Sequence, residues 1–194
     1  MLERRELALE RGTAAHTHRL SLVLAYFKGS WEPARIHTAL RKTTAILAQC
    51  GVAIAKAELA LISAPARYRD FHVPASRELA RALALPRPTI YFVADTRQRP
   101  AFEAEAIGRG NSASRPELRD TVWVTRGARD VDVVLAHELA HVLMDSGEHS
   151  AAPDNLMRED TAPGKVHLDD AQCERLRTTA SANGLLRPVA PGSR

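Results

Sequence analysis

Two histidines four residues apart, His137 and His141, with Glu138 beside the first, constrain this chain more than any other feature. Four residues of α-helix turn about 400° and rise about 6 Å, so a helix here aims both imidazoles at one point and sets the carboxylate beside it. Neutral imidazole nitrogens bind zinc at about 2.0–2.1 Å, and a carboxylate that does not ligate can take a proton from an activated water. The spacing therefore predicts a helix with a metal on one face. Asp130 or Asp132 can cap it or supply a first-turn acid. Val131, Val133 and Val134 are poor helix formers, so burial rather than propensity must hold the segment.

A zinc ion that keeps one position open for water needs a third protein ligand. If the helix ran on unbroken, Asp145 would share the His137 face but lie about 12 Å along the axis, too far to reach the same ion. The chain must turn back. Gly147 offers the left-handed conformation that ends a helix, and His149 follows it. His149 is the preferred third ligand; Asp145, Glu148 and the more distant Glu159 stay open as alternatives, because carboxylates also bind zinc.

With a glycine turn, His149 and then Asn155-Leu156-Met157 following the histidine pair, the segment resembles the metzincin metalloproteases. The resemblance implies a zinc-dependent endopeptidase. His137, His141 and His149 would hold Zn2+, Glu138 would act as general base, and Met157 would lie in a tight turn beneath the metal. One departure stands out: the clan's usual spacing puts glycine and the third ligand where this chain has Met144 and Gly147, so the turn here is two residues longer. Two other readings use the same residues: a non-catalytic, zinc-stabilised binding or scaffold protein, and a gluzincin-like peptidase with Glu159 as acidic third ligand.

The rest of the chain predicts a mixed α/β (α+β) fold. Residues 20–27 read as a strand ended by Lys28-Gly29-Ser30, and Glu32-Pro33 opens a helix that Gly51 stops. Residues 52–62 and 88–93 are further strand regions with a short helix at 76–83 between them. Residues 104–109 read as a short, interrupted strand, and 121–125 as another before the helix of the histidines. Strands alternating with helices predict a mixed sheet with helices packed on it; by the resemblance it would be a mainly parallel twisted sheet with a backing helix and an active-site helix. After Met157, Asp169 caps one last helix that buries Leu168, Cys173, Leu176 and Ala180. By the resemblance, Ala106, Ile107, Gly108 and Arg109 would form an antiparallel edge strand that binds extended peptide through main-chain hydrogen bonds.

Length favours one domain, taken over residues 20–186, and by the resemblance it would be catalytic and divided near 147 into an upper and a lower part. Residues 1–19, rich in acids and arginines, are expected to be a helical or disordered extension, and 187–194 a loose tail. No stretch approaches the roughly 20 apolar residues of a membrane-spanning helix. The start lacks the apolar core of a signal peptide, so the chain is expected to be cytoplasmic, or a mature secreted form without its targeting segment. The net charge of +4 with few aromatics among scattered arginines argues against nucleic acid and leaves a peptide or protein as partner, with oligomeric state open. Cys50 and Cys173 fall in separate predicted helices and are expected to be buried small apolar residues, neither disulfide-bonded nor metal-bound. His16 with His18 has the spacing of a second metal site but is expected to be solvent-exposed on a flexible start; His37, His72 and His167 have no partner spacing and read as surface or structural, and Trp31 and Trp123 as packing residues.

Overall fold

The computed structural model describes residues 2–8 and 16–189. Among the described residues, seven strands form one sheet: β1 (Leu2–Glu6), β2 (His18–Phe27), β3 (Val52–Ile62), β4 (Thr89–Val93), β5 (Ala104–Ile107), β6 (Thr121–Thr125) and β7 (Leu186–Pro188). The order is β1-β3-β2-β4-β6-β5, with β7 pairing on the first residues of β2. The central pairs β3·β2, β2·β4 and β4·β6 are parallel, while β1·β3, β5·β6 and β2·β7 are antiparallel. This is the expected mainly parallel sheet with an antiparallel edge.

Strand periodicity builds two cores, because successive side chains leave opposite faces of the sheet. On β2, Leu22, Leu24 and Tyr26 pack under α1 (Pro33–Ala48) and α3 (Val131–Met144). Val23, Ala25 and Phe27 face α2 (Val73–Leu83) with Tyr91 and Trp123, whose rings stack at 4.2 Å. Helix α1 starts with Pro33 in its first turn, and Gly51 takes φ 68° as the chain reverses into β3. Helix α3 buries 12 of its 14 residues. Its valines are therefore held by packing on all sides, as a helix apolar around its whole circumference requires. Helix α4 (Asp170–Ala182) begins with the expected Asp169 cap, completed as a capping box by Gln172.

Three expectations do not hold. Cys50 and Cys173 form a disulfide, with Cα atoms 4.8 Å apart, that ties the end of α1 to the first turn of α4. A separation of 123 residues conceals this contact until both helices pack beside α3. Residues 2–6 are neither helical nor disordered: they pair with β3, Leu2 opposite Ile62 and Glu6 opposite Glu58, and their polar side chains suit an edge strand. Arg187 and Pro188 of the expected tail pair, with Leu186, on β2, while 1, 9–15 and 190–194 lie outside the described residues. Trp31 and Trp123 are buried, as read; His16, His72 and His167 are exposed.

Candidate metal centre

Helix α3 ends not at Gly147 but at Asp145, which takes the left-handed conformation (φ 47°, ψ 49°) and donates its N–H back to the helix carbonyls of His141 and Val142. Asp is among the few side chains that tolerate this region. The chain turns, and Ser146 donates its N–H to the His141 carbonyl at 3.1 Å. His149 then comes back over the helix. Its ring centroid lies 5.5 Å from that of His137 and 5.1 Å from that of His141, and one ligand nitrogen from each of the three residues falls within 4.8 Å of the others. His137 and His141 are buried and His149 is exposed.

Two backbone carbonyls decide the chemistry of this cluster. His137 Nδ1 lies 2.8 Å from Leu156 O, and His141 Nδ1 lies 2.6 Å from Ser146 O. A carbonyl can only accept, so both Nδ1 atoms carry the proton and both neutral rings keep a lone pair on Nε2. These two Nε2 atoms face each other at 3.0 Å. Two opposed lone pairs repel unless a cation sits between them, and two ligands of one tetrahedral zinc would stand about 3.3 Å apart. Burial, reinforced by the neighbouring His137, pushes His141 down to about 4 against the Ser146 carbonyl, and burial also lowers His137. Both rings are thus neutral, the form that binds metal.

Leu156 O is itself held in place. Met157, 1% exposed, donates its N–H to Asn155 Oδ1 at 2.9 Å, and its carbonyl accepts the Ser150 N–H at 2.7 Å. The Asn155 and Gln172 side-chain amides exchange two hydrogen bonds, at 2.8 and 3.0 Å. The first turn of α4 therefore fixes the 155–157 turn, and that turn fixes the His137 ring. Asn155 and Gln172 were not singled out as site residues, though the capping-box spacing Asp169 to Gln172 was visible in the sequence.

Glu138 lines a cavity of about 350 Å³ together with the three histidines, Glu105, Gly108 and Glu159. Desolvation pushes its carboxyl up to about 8, opposed by a hydrogen bond from the Ala106 N–H and assisted by the charge of Glu105. Of the alternative ligands, Asp145 Oδ1 accepts the Arg109 N–H at 2.8 Å, and Glu148 pairs with Arg175 and Ser146 Oγ. Glu159 reaches the cavity wall only. Among the described residues no fourth His, Cys, Asp or Glu joins the histidine cluster. Ala106 and Ile107 belong to β5, with Ile107 buried on the α2 side; Ala106 and Gly108 line the cavity, whereas Arg109 is not part of its wall. The Arg109 side chain turns away, toward Asp120 and Asn183 O.

No family model and no curated protein matches the chain. Among solved structures it is similar to metalloproteinase-II from Bacteroides fragilis, with a TM-score of 0.58 and 17% identity over 90% of this chain and 57% of that one. This chain thus spans little more than half the length of that protein, and the likeness is one of fold: a mixed α/β sheet with an antiparallel edge, as in a metalloproteinase.

Proposed function

We propose that residues 20–186 form one zinc-dependent peptidase unit of metzincin type, in which His137, His141 and His149 hold the metal, Glu138 is the general base and Met157 supports the site from its turn. The observation that carries this is the pair of Nε2 lone pairs opposed at 3.0 Å with both Nδ1 protons engaged, because only a cation satisfies that arrangement in neutral rings. Three histidines without a fourth protein ligand favour a catalytic site over a closed structural one. The similar fold of a metalloproteinase supports the same reading.

Zinc held there supplies a Lewis acid that polarises the scissile carbonyl and acidifies water. The protein does the rest. Glu138 takes the proton of the attacking water and returns it to the departing amine nitrogen. Its basicity is raised by the desolvation that burdens the charged carboxylate. Strand β5, at the sheet edge, would align an extended peptide by main-chain hydrogen bonds. The Cys50–Cys173 bond supports work in an oxidising compartment.

The test is elemental analysis of the purified protein together with cleavage of a broad peptide library. About one zinc per chain and cleavage abolished by a chelator are expected. Replacing His137, His141 or His149 by Ala should strip the metal, while Asp145→Ala and Glu148→Ala should retain it. The reverse ranking at the third position would move the ligand to an acid. Metal without cleavage of any peptide would favour a binding protein.

A further inference from the structure

The Asp145 carboxylate joins the metal-site helix to the edge strand. Its Oδ1 accepts the Arg109 N–H at 2.8 Å, just past the end of β5. The approach is close enough that a Cβ on Gly108 would come within 2.9 Å of the same oxygen, so any larger residue there would displace the carboxylate from this position. The C-terminal end of α3 thus holds the chain where it leaves β5. The residue after Asp145 belongs to the metal centre: Ser146 O accepts the Nδ1–H of His141 at 2.6 Å. Arg109 is anchored from its other end too, its guanidinium donating to Asn183 O at 2.7 Å and to Asp120 Oδ2 at 3.3 Å.

We propose that Asp145 is a positioning residue that fixes the edge strand relative to the three-histidine centre, so that a peptide aligned on the strand presents its scissile bond to Glu138. This rests on the peptidase reading above. Asp145 acts through the Arg109 N–H and the strand, not on the metal. Strand β5 is only four residues long and paired on one side, so its far end depends on this charge-assisted hydrogen bond more than a central strand would. The conformation of Asp145 serves the same purpose, since the left-handed residue that ends the helix also turns its carboxylate toward the strand.

The test uses the full chain loaded with zinc. Asp145→Gly keeps the left-handed helix end but removes the carboxylate, Asp145→Asn keeps an acceptor oxygen, and Gly108→Ala drives the strand and the Asp145 carboxylate apart. In Asp145→Gly the Arg109 amide should exchange its hydrogen at least about ten-fold faster, and KM for a cleaved peptide should rise about ten-fold with kcat within about three-fold. Zinc content should stay at that of the parent. Asp145→Asn should stay within about three-fold of the parent in both readouts, and Gly108→Ala should behave like Asp145→Gly. Unchanged Arg109 exchange in both Asp145→Gly and Gly108→Ala would overturn the clamp, and loss of zinc from both Asp145 variants would make the residue a ligand instead. Should the parent cleave no peptide, the peptidase reading falls with the peptide-presenting role, while amide exchange still decides whether Asp145 holds the strand.

Discussion

His137 is tied to Leu156 across 19 positions of sequence: its Nδ1–H donates to the Leu156 carbonyl at 2.8 Å, and the two residues bring helix α3 and the 155–157 turn into one unit. Behind Leu156 stands Asn155, 1% exposed, whose side chain binds both the Met157 N–H and the Gln172 amide.

Asn155→Ala should therefore weaken zinc without touching it. Losing the partner that orients a metal-binding histidine commonly costs about 10–100-fold in affinity. The buried groups left unpaired should add about 1–3 kcal/mol of destabilisation. Competition with a chromophoric chelator and a denaturant titration measure the two effects. Parent-like zinc affinity in this variant would separate the turn from the metal centre.

Reducing the Cys50–Cys173 bond should lower stability by about 2–5 kcal/mol, since it closes a loop of more than a hundred residues in the unfolded chain. Urea titrations with and without reductant give the difference. Two free thiols found by titration of the unfolded, unreduced protein would remove the bond from the account.

Glu117 gives a pH dependence away from the metal. Hydrogen bonds from Arg77 and Arg81 hold its carboxyl down at about 2 against an ordinary 4.5. A carboxylate with a depressed folded pKa contributes stability above its unfolded value, and that contribution is lost as pH falls from about 4.5 toward 2. The parent should therefore be more stable than Glu117→Gln at pH 7, with the gap closing at pH 3. Denaturation midpoints at the two pH values measure this, and an unchanged gap would show that the arginines do not act through charge.

What could be read from the sequence was what local pattern determines. The central strands carry apolar runs, such as Thr89 to Val93, that fit burial on both faces, and the spacing of His137 and His141 requires only a helix to converge. Strand β1 escaped because Glu3, Arg4, Arg5 and Glu6 have the composition of a solvated segment, and only the partner β3 makes them a strand. The disulfide escaped because nothing local relates Cys50 to Cys173. At the helix end, glycine was the obvious candidate for the left-handed residue. Asp145 takes that conformation instead, its carboxylate finding the Arg109 N–H across 36 positions of sequence. Local propensity gave way there to a tertiary hydrogen bond.

The most direct measurement is peptide hydrolysis by Glu138→Gln at zinc content matched to the parent. The amide keeps the size of the side chain but cannot accept the proton of water, so zinc and peptide binding should survive while kcat falls by about 10⁴-fold or more, at or beyond the upper end for loss of a general base. Turnover equal to that of the parent at equal zinc would contradict the account.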